Sequence, residues 1–296
     1  MELSIIIVTY NQEDYIRKTL DSILNQDINC PYEVWIGDDA SSDDTPNVIL
    51  EYMRKYPKII HGVLRKENLG VIKNYFDLVA RCTGKYIMEC AGDDYWAPEK
   101  VKKELEYMRL HPDASMVCGA VSVVDEKGVQ TSVRKGSAGQ LTFDKLLLFN
   151  PVSALTICFR RVDMEAYIQS VDPSHKEWKM EDYPFLLWLA KNRKIDYIPE
   201  VLGSYRVVNG SISNAVDVEK KLRFEKAVYE IRDFFAEQPT DKRRVEKTYY
   251  KNVAHIYLLN HETKKYWQYT FKSKDVWAIA KAPFKFLKYC GRINEV

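Results

Sequence analysis

The chain has 296 residues, 46% hydrophobic and 29% charged, with a formal net charge of +2. That profile fits a soluble globular protein with room for one large domain and an appendage. It speaks against a dedicated nucleic-acid binder, which would be clearly basic, and no apolar run is long enough to span a bilayer.

No signal peptide is read at the start, where Met1 to Ser4 lack a basic flank. Cys30, Cys82, Cys90, Cys118, Cys158 and Cys290 are scattered, without Cys-x-x-Cys spacing. They read as reduced, mostly buried thiols of a cytoplasmic protein, not as disulfides or a zinc site. His255 and His261 are out of helical phase and read as structural or surface residues.

In chain order, Leu3 to Val8 is β-branched and nearly continuous, the pattern of a central parallel strand covered on both faces. It ends at Thr9, Tyr10 and Asn11. The spacing of Ile16, Leu20, Ile23 and Leu24 predicts a helix over 15–24. A strand over 33–37 empties into Asp38 and Asp39. A helix follows, capped by Asp44 or Thr45, with Pro46 in its first turn. A third strand over 59–64 leads through Asn68 and Gly70 to a helix over 71–82. Strand and helix alternate, which predicts an α/β sheet.

Gly84 then opens a short apolar run that stops at two adjacent carboxylates, Asp93 and Asp94. Such a run reads as a buried strand emptying into a loop. Two readings stand. Either aspartate could cap the helix after Pro98. Both could instead offer hard oxygen ligands to a divalent cation at the strand ends, where open α/β sheets bind ligands. Asp38 and Asp39 end a second strand at the same rim. An acidic rim repels anions unless a cation intervenes. Tyr10 adds a flat aromatic face there, suited to a nucleobase.

These segments resemble the glycosyltransferases of family 2, which have the GT-A fold. The resemblance rests on Ser4 to Asn11, Trp35 to Thr45, Asn68 to Gly70 with Asn74, Gly84 to Ile87, and Gly92 to Trp96. Glu181 to Tyr183 and Tyr205-Arg206 complete it, all in the family's order. It implies a Rossmann-like, mostly parallel sheet flanked by helices, and sugar transfer from a nucleotide donor, UDP-linked, for bacterial surface polysaccharide. It also implies donor contacts from Thr9, Tyr10, Asp38, Asp39, Asn68, Asp93 and Arg206. Mn²⁺ or Mg²⁺ would sit on Asp94 and Asp93. Asp182 matches the family's general base, with Glu181 beside it. One departure stands out: Ala91 occupies the position two before Asp93, where relatives often carry Asp or Glu.

Further along, 98–111 reads as an amphipathic helix and 114–124 as a strand. The stretch 133–140 reads as a loop, either a mobile cover or a plain surface connection. Asp182 precedes a strongly apolar helix, so it could also serve as a cap. A last strand over 195–201 leads to Gly203 to Val207, where Arg206 suits either a phosphate or a salt bridge. The loop over 208–215 marks a boundary, giving a transferase domain over 1–215 and a helical region over 216–296. There, Phe224, Val228, Ile231 and Phe235 fall at helical spacing, and 249–259 gives a second helix. Lys274, Lys281, Lys285, Lys288 and Arg292 form a basic stripe, with Val276, Ala280, Pro283 and Leu287 roughly opposite. That helix either lies on an anionic membrane, suiting a lipid-linked saccharide acceptor, or docks on its own domain. Pro283 threatens its continuity.

Two alternatives accompany this reading. One is a non-catalytic sugar-nucleotide-binding protein of the same fold, favoured by Ala91. The other is a nucleotidyltransferase, which would need a Gly-rich basic phosphate loop that Val8 to Asn11 does not provide.

Overall fold

The computed structural model of the chain describes residues 1–208 and 217–290, with backbone alone over 287–290. Its centre is β1 (Leu3–Thr9), whose residues are buried almost throughout. β1 pairs in parallel with β2 (Tyr32–Asp38) on one side and β4 (Tyr86–Ala91) on the other. Both of its edges are therefore paired, and burial of residues that alternate between its two faces shows that both faces are covered, as its unbroken apolar run requires. β3 (Ile60–Leu64) extends the parallel set beyond β2.

Helices α1 (Ile16–Leu24), α2 (Thr45–Lys55) and α3 (Val71–Arg81) alternate with these strands. Each buries a stripe at helical spacing, for example Ile16, Leu20 and Ile23 on α1. The buried hydroxyl of Ser4 donates to Glu33 at 2.6 Å and accepts the Gly84 N–H at 2.8 Å. A Cβ at Gly84 would lie 2.4 Å from the Ser4 nitrogen, so this close approach requires glycine.

After β5 (Tyr95–Trp96), α4 (Lys100–Leu110) leads into β6 (Ala114–Val124). Neither Asp93 nor Asp94 caps α4: Glu99 holds the N-cap position, with no side-chain bond there. β6 pairs in parallel with β10 (Lys194–Arg206). The short β9 (Cys158–Arg160) runs antiparallel between β4 and β6 and joins the two parallel blocks. The resulting order is β3-β2-β1-β4-β9-β6-β10-β5.

Several elements depart from the sequence reading. The stretch 133–140 is not simply a loop. It begins in β7 (Gln130–Arg134), paired to β6, and ends in β8 (Gly139–Leu141), paired to β10. β7 is exposed at every residue, so no apolar alternation marked it. The strand expected over 195–201 continues to Arg206, absorbing Pro199 and Glu200 at register shifts. α5 (Phe143–Leu148), α6 (Arg161–Val171) and α7 (Asp182–Asn192) complete this part.

The described residues fall into two compact units. The first takes Met1–Leu146 and Asn150–Val207, and the second takes Leu147–Phe149 with the described residues from Val208 onward. The boundary expected at 215/216 lies outside the described residues, as do Arg292 and the side chains of Leu287, Lys288 and Cys290. The second unit is helical: α8 (Val218–Phe235), α9 (Pro239–Leu259), α10 (Thr263–Lys272) and α11 (Val276–Cys290). α9 begins well before the expected 249, and α11 runs through Pro283. No helix among the described residues is long and apolar enough to cross a membrane.

Candidate active site

Parallel register brings the carboxyl ends of β1, β2 and β4 to one rim, with Thr9 opposite Asp38 and Val8 opposite Ala91. Asp38 is buried, and its carboxylate accepts the Ser41 N–H at 3.1 Å and the Ser41 hydroxyl. It shapes the turn after β2, and burial pushes its carboxyl up. Asp39 is buried beside it. Its two oxygens accept the N–H groups of Leu69 at 2.8 Å and Gly70 at 2.9 Å. Asn68 is exposed and shares the Gly70 N–H at 3.1 Å. Tyr10 is 49% exposed, so its ring is not consumed by core packing.

Asp93 and Asp94 follow β4. The Gly92 N–H bonds the Val8 carbonyl at 3.0 Å. A Cβ on Gly92 would fall 2.6 Å from the Thr9 hydroxyl and 2.4 Å from Gln12 Oε1. The bare backbone therefore lets the turn lie flat against the end of β1. The Thr9 hydroxyl donates to Gln12 at 2.8 Å. The Thr19 hydroxyl holds the carbonyls of Gly92 at 2.8 Å and Asp94 at 2.6 Å.

Arg206 closes this turn from the other side. Its backbone N–H donates to the buried Asp94 carboxylate at 2.7 Å. Its guanidinium donates to the carbonyls of Asp93 (2.9 Å), Glu126 (2.7 Å) and Asp125 (3.2 Å). The same group lies 4.6 Å from the Tyr15 ring centre and 5.6 Å from that of Tyr95. A planar fork between rings and carbonyls is a brace that lysine could not reproduce.

The sequence reading missed Arg134. This exposed residue on β7 stacks on Tyr205 at 4.8 Å, and its charge favours the ionised form of Asp94. Its strand is exposed at every residue and so gave no apolar alternation to read.

Burial raises the Asp94 carboxyl well above the usual carboxylate range, with the Asp93 charge adding to the effect. Burial raises Asp93 as well. Adjacent carboxylates under such strain are relieved by a cation. Among the described residues, no group of three or more His, Cys, Asp or Glu side chains is arranged to hold a metal. Two carboxylates still fit a Mg²⁺-type site, where water and substrate phosphate complete the shell. Glu89 does not replace the carboxylate missing at Ala91. It turns into the protein, where the Tyr75 hydroxyl donates to it at 2.6 Å.

A second pair of carboxylates begins α7. This helix is buried continuously from Tyr183 to Leu189, and Tyr183 anchors it by donating to the Leu146 carbonyl at 2.7 Å. Asp182 accepts the neighbouring Tyr183 N–H at 2.7 Å, while Glu181 at the N-cap position makes no capping bond. Burial and the Asp182 charge push Glu181 up to about 8. Burial also raises Asp182. Burial raises Glu89 well above its ordinary value, and the charges of Glu181 and Asp182 add to this. The carboxylates of α7 thus share a neighbourhood with β4, the strand that delivers Asp93 and Asp94.

The model of "Glycosyl transferase family 2" matches residues 4–169. The chain belongs to this family. An uncharacterized protein of Mycobacterium tuberculosis is 34% identical over 211 residues, 69% of this chain and 58% of that protein. The chain thus spans less than two thirds of that relative's length. TuaG of Bacillus subtilis, whose name places it in teichuronic acid biosynthesis, is 30% identical over 213 residues, 72% of this chain and 81% of TuaG.

Among solved structures of similar fold is Staphylococcus aureus TarS 1–349 in complex with UDP-GlcNAc. Its TM-score is 0.65 at 20% identity, over 98% of this chain and 89% of that one. Another is the mannosyltransferase PcManGT of Pyrobaculum calidifontis in complex with GDP-Man and Mn²⁺. Its TM-score is 0.58 at 14% identity, over 97% of this chain and 87% of that one. In keeping with its likeness to these solved structures, the chain has a mostly parallel, GT-A-like sheet flanked by helices, and it carries further helices, α8 to α11, towards its carboxyl end.

Proposed function

We propose that this chain transfers a sugar, with inversion, from a UDP-linked donor to a saccharide or lipid-linked saccharide acceptor. The transferase domain is assigned to 1–215 and the helical region to 216–296. The reading places the protein in the cytoplasm, peripheral at the inner face of the plasma membrane, in surface-polysaccharide synthesis. Family membership and the nucleotide sugars bound by TarS and PcManGT support a nucleotide-sugar donor.

One observation carries the mechanism: the charges of Glu181 and Asp182 act on Glu89 of β4, the strand whose end leads into Asp93 and Asp94. Tyr10 and Asp39 would hold the base, with Thr9, Asp38 and Asn68 shaping that end of the cleft. Asp94 and Asp93 would hold Mn²⁺ or Mg²⁺, which when bound neutralises charge on the departing diphosphate. Arg206 braces the turn that carries them. Asp182 takes the proton of the acceptor hydroxyl as that oxygen attacks the anomeric carbon. Inversion needs base and leaving group on opposite faces of the sugar, as in inverting glycoside hydrolysis. A desolvated carboxylate with a raised pKa is the stronger base for this step.

Ala91 favours a second reading, a protein that binds the donor without transferring it. Incubating the chain with UDP-sugars and Mn²⁺ and measuring UDP release separates the two. Release abolished by Asp182→Asn supports transfer, and donor binding without release in the unmodified chain supports the binder.

A further inference from the structure

α11 buries one apolar face, but three of its large apolar residues lie outside that face. Val276, Trp277 and Phe284 are each about three-quarters exposed, at 75%, 76% and 75%. The inner face of the helix is fixed independently. Ala282 is buried, and its carbonyl accepts the Tyr266 hydroxyl at 3.0 Å. Phe286 packs on Tyr266 and Trp267 of α10.

At about 100° per residue, Pro283, Val276, Ala280, Phe284 and Trp277 form one continuous outer stripe. Lys281 and Lys285 border it and are exposed, as are Lys272 and Lys274 nearby. The only acidic residue over 271–286 is Asp275. It is buried and paired with Lys247 at 3.3 Å and Lys251 at 3.2 Å. Phe271, at the end of α10, adds a further 57% exposed ring.

We propose that this face of α11 is an interfacial anchor that lies on an anionic lipid surface. Tryptophan and phenylalanine enter the boundary between headgroup and acyl chain, while flanking lysines meet anionic headgroups. Exposed rings whose charged neighbours on α11, among the described residues, are lysines complement such a surface in both polarity and charge. The helix lies in the membrane plane and does not span it. The anchor deepens the lipid-linked acceptor reading by supplying the surface on which that acceptor is met. Vesicle binding is measured without catalysis, so the anchor and the transfer reaction can fail separately.

The test is co-sedimentation of the full chain with phosphatidylcholine vesicles, with and without phosphatidylglycerol. Binding is expected only with the anionic lipid and falls with added salt. The double variant Trp277→Ser/Phe284→Ser loses it. Lys281→Ala/Lys285→Ala weakens it about thirtyfold, the factor expected for the loss of two lysines at the headgroups. Both variants keep the melting temperature and UDP release of the unmodified chain. Equal binding to neutral vesicles, or binding unchanged in both variants, overturns the anchor. So does a concentration-dependent dimer that Trp277→Ser/Phe284→Ser breaks in the absence of vesicle binding, because the face would then meet a second copy.

Discussion

The backbone N–H of Arg206 lies 2.7 Å from the carboxylate of Asp94, while its guanidinium reaches back to the Asp93 carbonyl at 2.9 Å. The last residue of β10 thereby fixes the turn after β4, across 112 positions of sequence. Arg206→Lys keeps the charge but loses the fork and the stacking on Tyr15. It is expected to cost about 1.5–3 kcal/mol of stability, because bonds from a charged group to part-buried carbonyls are lost. Denaturant unfolding checks this. An unchanged midpoint would show that Arg206 is free to serve a ligand directly.

Asp182→Asn keeps the shape and removes the proton acceptor. UDP release in the presence of acceptor is expected to fall about 10²–10⁴-fold, with donor affinity and melting temperature unchanged. Parallel loss of binding or folding would make Asp182 a structural residue.

The pH profile follows from the α7 pair. A base works only when ionised, and a raised carboxyl ionises at higher pH than an ordinary one. The rising limb of kcat/KM is therefore expected above the ordinary aspartate range. Glu181, pushed to about 8, keeps its proton at neutral pH and ionises in a second step. Glu181→Gln should abolish that second step and leave the first. A limb at the ordinary aspartate value would contradict a base whose carboxyl is raised by its surroundings.

Glu89 is the stability counterpart. Its carboxyl is raised in the folded chain, mainly by burial, so the folded state binds a proton that the unfolded chain releases more readily. Its contribution is full below the unfolded value and is lost as pH rises towards the folded one. Glu89→Gln keeps an acceptor for Tyr75 and removes the ionisation. Melting curves from pH 5 to pH 8, a window of about that width being chosen to bracket carboxylate titration, should show a flatter pH dependence in the variant. Identical pH dependence would place Glu89 outside this linkage.

How much of this was legible depended on burial. β1, β2 and β4 showed because strands covered on both faces need unbroken apolar runs, and their ends showed because Asp38, Asp39, Asp93 and Asp94 break those runs abruptly. β7 did not show, since it pairs to β6 through its backbone while its side chains stay exposed. α6 was hidden because it buries little beyond Met164, Tyr167 and Asp163. The nearness of Glu89 to Glu181 and Asp182, and the bracing role of Arg206, come from contacts between distant segments that no local pattern encodes. α11 gave the opposite lesson. Its apolar spacing was visible, but only the packing of Ala282 and Phe286 reveals that Trp277 and Phe284 face outward.

The most direct measurement is the thermal shift produced by a panel of nucleotide sugars with Mn²⁺, since a donor that binds only the folded chain raises its melting temperature. A UDP-sugar is expected to give the largest shift, retained in Asp182→Asn and lost in Asp94→Ala or with EDTA. No shift from any nucleotide sugar would contradict a donor held at this rim, and a shift that survives both Asp94→Ala and EDTA would contradict a donor held through a metal at the end of β4.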